Sequence, residues 1–255
     1  VDLKIRGKVA LVTGASSGLG EAVALALAAE GVKLAIAARR KDRLQAVADA
    51  AKKAGAADAR SFDADLTDPK SVAKLVDDVK SAYGGIDILI ANGGGPKPGT
   101  VTQLAIDDWD GGYNAVLRNM LALIYGVLPG MQERGWGRIV SLASTSVKQP
   151  IPNLALSSAF RIALTSALKT LSIEVASQGI TVNSIATGRV ETERLRELYP
   201  SDESMAAAAK ADVPMGRVAT PAEFAPMVTF LCGVPASYVT GQTIAIDGGL
   251  VKSLL

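Results

Sequence analysis

The sequence predicts an α/β protein, a single domain built on a doubly wound sheet of seven mostly parallel strands with helices on both faces. Three observations predict it. Short runs rich in Val, Ile, Leu and Ala alternate with longer helical runs along the 255 residues. No linker, internal repeat or low-complexity tract breaks that alternation. Helix start and stop signals fall between the runs, where strand-to-helix crossovers need them.

The strands follow in order as VALVT from Val9, KLAIAA from Lys33, ARSFDA from Ala59, IDILIA from Ile86, RIVSLA from Arg138, ITVNSIA from Ile180 and QTIAIDG from Gln242. Between them, Asp68 before Pro69 and Thr220 before Pro221 read as N-cap and first helical residue. Gly31, Gly55, Gly84 and Gly179 stand just past helix ends. In LALSSAFRIALTSALK, residues 154–169, Phe160, Leu164 and Leu168, continued by Leu171, recur at helical spacing and predict a buried face. Ser157 and Arg161, four residues apart, share a face of that helix. The stretch from Thr187 to about Pro214 reads as irregular and too long for a routine connection, which makes it a candidate lid at about 187–214.

Composition excludes several function classes. With 49% hydrophobic and 20% charged residues, the chain is expected to fold around one full core. It has no histidine, so metal-centred and His-dependent triad chemistry is disfavoured, and no metal ligand set is assigned. A net charge of +2 with scattered basic residues does not announce a nucleic-acid partner. Apolar stretches such as AVALALAA are cut by Glu30 and Lys33, so no membrane partner is expected. The start does not resemble a signal peptide, and the single Cys232 suits a reducing compartment. Together these give the expectation of a cytoplasmic protein.

Chemistry enters at TGASSGLG, residues 13–20, which leaves the first strand and opens a helix. Glycines allow a sharp turn and close approach of a pyrophosphate to the free N–H groups of a helix N-terminus. The spacing of Gly14, Gly18 and Gly20 is not the common G-x-G-x-x-G. It resembles the T-G-x-x-x-G-x-G signature of the short-chain dehydrogenase/reductase family. Further segments resemble that family in the right order: DADLTD at Asp63, ANGGGP at Ala91, RIVSLAS at Arg138, EVASQGITVNSIATGRVETE from Glu174, VPMGRVATPAEFA from Val213 and TGQTIAIDGG from Thr240. The resemblance spans essentially the whole chain and is greatest to the β-ketoacyl carrier-protein reductase-like members. It implies a Rossmann-like sheet, a nicotinamide cofactor and a carbonyl or alcohol substrate, free or on an acyl carrier. A homo-oligomer, tetramer or dimer, is also implied.

Strand two ends AIAARRKDRL. A carboxylate there would hold the adenosine ribose, whereas positive charge accommodates a 2′-phosphate. Ala38 stands at that place, followed by Arg39 and Arg40, so NADP(H) is favoured over NAD(H). By the resemblance, Gly14, Ser16, Ser17, Gly18, Leu19 and Gly20 line the phosphates, Asp65 and Leu66 the adenine, Asn92 and Gly93 the ribose. Val190 and Thr192 reach the nicotinamide end or the phosphates. Ala91 replaces one asparagine of the family loop and Thr187 the proline of its P-G turn.

The family's reaction centre has Asn, Ser, Tyr and Lys. A gap-free alignment keeps the serine as Ser144 but puts Ser157 at the Tyr, Arg161 at the Lys and Val116 at the Asn, with Asn114 and Asn119 flanking it. No tyrosine lies between Tyr125 and Tyr199 to take the missing place. A serine is a far weaker acid than tyrosine and arginine keeps its proton, so a matched general acid worth about 10² to 10⁴ in rate is absent. Positioning still gives catalysis. Ser144, Ser157 and Arg161, the last also a ribose clamp, are the candidate catalytic residues, and Lys148 is a further candidate proton donor, although a lysine there reads first as a surface residue. Arg194, Arg196 and Lys210 either greet an acidic carrier protein or solvate a helix. Three readings stay open: an oxidoreductase with an unorthodox proton relay, a non-catalytic NADP(H)-binding sensor, and a structural subunit of an active relative's assembly.

Overall fold

The computed structural model describes residues 1–254. Its seven strands are β1 (Val9–Thr13), β2 (Lys33–Ala38), β3 (Asp58–Asp63), β4 (Ile88–Ala91), β5 (Gly137–Leu142), β6 (Ile180–Thr187) and β7 (Thr243–Ile246). They form one sheet in the order β3-β2-β1-β4-β5-β6-β7, and every neighbouring pair is parallel. The expected "mostly parallel" sheet is therefore wholly parallel. The bounds of β1 and β2 coincide with the sequence reading, and those of the other strands differ by one or two residues. Just before β4, the Asp87 carboxylate accepts from the Val9 N–H at 2.9 Å.

The helices are α1 (Gly18–Ala29), α2 (Lys41–Ala54), α3 (Pro69–Tyr83), α4 (Ile106–Gly112), α5 (Asn119–Arg134), α6 (Ala155–Val175), α7 (Glu193–Arg196), α8 (Asp202–Asp212) and α9 (Pro221–Leu231). A six-residue π-helical segment, Tyr113–Arg118, joins α4 to α5. The N-caps read from the sequence are present: Asp68 accepts from the Lys70 N–H and Thr220 from the Glu223 N–H.

The strands read as continuous apolar runs because both faces of the sheet are covered. Along β1, Ala10 and Val12 pack into one core with α1, α2 and α9, while Val9 and Leu11 pack into a second with α3, α5 and α6. The same alternation runs through Ile88 and Ile90 against Leu89 and Ala91 on β4. Helix α1 buries Gly20, Val23, Ala24, Leu27 and Ala28, the i, i+3, i+4 stripe that seats it on the sheet.

One expectation needs correction. The region 187–214, read as irregular, contains α7 and α8. The side chains of Thr192 and Ser201 cap them, accepting from the Leu195 and Ser204 N–H groups. The signals were the Thr and Ser caps, masked by the charge of α7 and the absence of a long apolar stripe. Among the described residues, no helix is long and apolar enough to cross a membrane, and no cluster of three or more metal-ligating side chains exists.

Candidate functional site

The strand order reverses between β1 and β4, and in open parallel sheets ligands enter the crevice at the carboxyl ends of such a pair. Thr13 ends β1, Asn92 directly follows β4, and the two clasp each other. The Thr13 hydroxyl donates to the Asn92 carbonyl at 2.7 Å and accepts from the Asn92 N–H at 3.0 Å. The Asn92 amide Nδ2 then donates to the Gly14 carbonyl at 3.2 Å. Asn92 thus fixes the glycine turn, a role the sequence reading did not give it.

Two glycines of the turn are required by space. Gly14 sits at φ +59°, and a Cβ on Gly20 would stand 2.3 Å from the Gly14 carbonyl oxygen. Gly18 begins α1, so the free N–H groups of that helix open beside the turn. Across the groove, the Thr192 methyl lies 3.1 Å from where a Cβ on Gly18 would be. Leu19 is half-buried against the core, and Val190 is buried and bridged to Ala219.

Arg40 reaches back to the turn, its Nε donating to Ser16 Oγ at 3.3 Å and its Nη2 to Ser17 Oγ at 2.6 Å. Its Nη1 donates to Glu193 of α7 at 2.9 Å, and Arg43 holds the other oxygen of that carboxylate at 2.5 Å. Arg39 is exposed. Asp65 accepts from the Thr67 N–H at 2.9 Å, the main cause holding its carboxyl below the usual range, with help from the Thr67 hydroxyl and Arg39. The Leu66 carbonyl accepts from Asn119 Nδ2 at 3.0 Å. Asn119 is therefore a buried tie between α5 and the loop after β3, not a substitute for the family's asparagine.

At the other end of the crevice, Ser157 is buried on α6, and Arg161 Nε one turn later donates to its Oγ at 3.2 Å. Arg161 Nη1 donates to the Leu142 carbonyl at 3.1 Å, and Nη2 lies 3.5 Å from the Gly94 carbonyl. Burial, and then the nearby charge of Arg194, push the Arg161 guanidinium down to about 10. It still carries its charge at neutral pH. Ser157 Oγ lies 3.4 Å from Ser146 Oγ, and the Ser146 N–H donates to Ser144 Oγ at 3.1 Å. The structure therefore brings Ser144, Ser146, Ser157 and Arg161 together. Ser146 was missed in sequence reading; its place two residues after Ser144 was the available signal.

Val116 is buried within the π-helical segment and lines a small cleft, open to solvent, with Gly93, Gly94, Met120, Ser141 and Arg161. Its side chain offers no hydrogen bond to a relay water. Lys148, just beyond a short 3-10 turn from Ser144, is half-buried.

The sequence matches the family described as Enoyl-(Acyl carrier protein) reductase over residues 14–251. The chain is a member of the short-chain dehydrogenase/reductase family. Over 248 residues it is 33% identical to the 3-oxoacyl-[acyl-carrier-protein] reductase of Escherichia coli, covering 97% of this chain and 99% of that one. Its fold matches L-sorbose reductase from Gluconobacter frateurii, solved with NADPH and L-sorbose, at a TM-score of 0.93 and 33% identity over 100% of both chains. It also matches a single-substitution variant of the actinorhodin polyketide ketoreductase solved with NADPH, at a TM-score of 0.91 and 36% identity, covering 97% of this chain and 98% of that one. Within this short-chain dehydrogenase/reductase, the glycine turn and the Thr13–Asn92 clasp stand at the carboxyl ends of β1 and β4, and Gly93 and Arg161 line one cleft.

Proposed function

We propose that the protein is an NADP(H)-dependent oxidoreductase interconverting a carbonyl and an alcohol, with Ser157 and Arg161 at the positions where its family carries Tyr and Lys. The observation that carries the cofactor reading is Arg40, a guanidinium resting on Ser16 and Ser17 of the glycine turn. A fork of donors at that place suits a 2′-phosphate, which a ribose hydroxyl cannot replace. The cradle fits a dinucleotide, since Gly14 and Gly20 leave room where side chains would intrude and α1 offers free N–H groups. The NADPH-bound similar structures support the same choice.

When bound, the reduced nicotinamide supplies the hydride. The chain's own groups handle the oxygen. Arg161 holds a full positive charge in a shielded place, where it stabilises an oxygen gaining negative charge. Because Ser157 Oγ accepts from Arg161, its own hydroxyl proton is available to a partner. Ser144 Oγ accepts from the Ser146 N–H and is likewise free to donate to the substrate oxygen. The pair Ser157 and Ser146 forms a short hydroxyl path along which water can return the proton. Exposed Tyr125 on α5 and Ile162 and Ile173 on α6 support a homo-oligomer.

NADPH consumption with a panel of carbonyl compounds tests this reading. Turnover is expected in the native chain and a loss of at least about tenfold in Ser144→Ala and Arg161→Ala. Rates unchanged in both variants would reject the relay. Val116 and the absent tyrosine favour a second reading, a non-catalytic NADP(H)-binding regulatory protein. That reading predicts no turnover until Val116→Asn, Ser157→Tyr and Arg161→Lys are combined.

A further inference from the structure

Two guanidinium groups bind carbonyls of one loop, whose Gly94 lines the cleft. Arg161 Nη2 lies against the Gly94 carbonyl at 3.5 Å, and Arg194 Nη2, from α7, donates to the Pro96 carbonyl at 3.3 Å. Gly95 between them has no side chain, and Arg194 Nε passes 2.9 Å from where its Cβ would stand. The two charges are close enough for Arg194 to disfavour the charged form of Arg161.

Among the described residues, no carboxylate balances them inside the site. All three contacts of Arg161 are to neutral oxygens, those of Ser157, Leu142 and Gly94. Glu193 is held by Arg40 and Arg43, Glu191 and Asp202 by Arg196, and Asp108 by Lys97. The one carboxylate on Arg194 is Glu197, three residues on and just past the end of α7, at 3.1 Å with both side chains exposed, a pairing that contributes little. Arg196, occupied by Glu191 and Asp202, is not available to a ligand in the same way. Two like charges drawn together, one of them shielded from water, define a place for an anion.

We propose that the substrate is a short oxo acid whose free carboxylate is bound by Arg194 while its carbonyl oxygen faces Arg161. This rests on the oxidoreductase reading of the same cleft. It sets the substrate apart from a carrier-bound thioester, which has no charge beside its carbonyl.

The test titrates the native chain and its Arg194→Met and Arg194→Lys variants with acetoacetate against methyl acetoacetate, and with pyruvate against methyl pyruvate. Binding is read by calorimetry with and without saturating NADPH, and NADPH oxidation is followed separately. In the native chain at least one acid is expected to bind about tenfold or more tighter than its ester. Arg194→Met should erase that preference with NADPH affinity unchanged, and Arg194→Lys should restore part of it. Equal binding of acid and ester, or a preference that survives Arg194→Met, would overturn the proposal. Binding is read whether or not NADPH is oxidised. A carboxylate preference without turnover therefore upholds the anion site and rejects the catalytic reading, while turnover of neutral ketones without such a preference does the reverse.

Discussion

The Glu193 carboxylate accepts from the Arg40 guanidinium at 2.9 Å although the two residues lie 153 positions apart. The same guanidinium touches both serines of the glycine turn. Helix α7 is thereby latched across the cofactor groove, with a carboxylate standing where our reading places the 2′-phosphate. Replacing the internal anion by a neutral amide removes the competitor. Glu193→Gln is expected to tighten NADPH binding by about two- to fivefold while leaving NADH little changed. Calorimetric titration of both cofactors checks this, and weaker NADPH binding would count against a competing anion.

The same latch responds to acid. Hydrogen bonds from Arg43 first, then Arg40, hold the Glu193 carboxyl below the usual carboxylate range. A folded-state pKa below the unfolded one gives a stabilisation that is complete above the unfolded value, about 4.3, and is lost as pH falls through the folded value. The native chain should therefore be slightly more stable than Glu193→Gln near neutrality, and the difference should vanish in acid. Urea midpoints of both proteins between neutral and strongly acidic pH measure it. A difference that persists unchanged through the acid range would show that the ion pairs are not its source.

Gly20 and Gly84 separate a clash from a conformational cost. A Cβ on Gly20 meets the Gly14 carbonyl at 2.3 Å, and Gly14 is itself held by Asn92. Gly84 sits at φ +81° with nothing within 4 Å. Gly20→Ala is expected to cost about 1–3 kcal/mol and to abolish NADPH binding. Gly84→Ala should cost roughly 1–2 kcal/mol and leave the cofactor site intact. Urea unfolding and NADPH titration of both variants decide; retained NADPH affinity in Gly20→Ala would refute the tight-turn account.

Turnover should show an unusual pH profile. The chain has no histidine, and Arg161, the charged group of the proposed reaction centre, is pushed down to about 10 by burial and then by Arg194. As a base, it is charged below that value and neutral above it. The rate should therefore lack an inflection from about pH 6 to 9 and fall as pH rises through about 10. Steady-state rates across that range provide the check. A rate that climbs through pH 10 would exclude a role for the Arg161 charge.

The sheet was legible because parallel strands buried on both faces leave unbroken apolar runs, as in Ile88 to Ala91. Caps with local chemistry, Asp68 with Pro69 and Thr220 with Pro221, were equally readable. The glycine turn announced itself through residue type and order. What escaped was non-local. The Thr13–Asn92 clasp joins residues 79 positions apart, and Arg40 finds Glu193 only once α7 crosses the groove. Helices α7 and α8 were hidden because capping hydroxyls and charged turns, rather than an apolar stripe, define them. Asn119, which sequence left as a flank of Val116, is committed to the Leu66 carbonyl, and only the packed fold reveals that.

The central claim, an NADP(H) site built on the glycine turn and Arg40, is tested most directly by calorimetric titration of the purified protein with NADPH and with NADH. The account predicts that NADPH binds at least about tenfold tighter than NADH, since the latter has no phosphate for the Arg40 guanidinium to hold. Equal affinity for the two, or no binding of either, would contradict it.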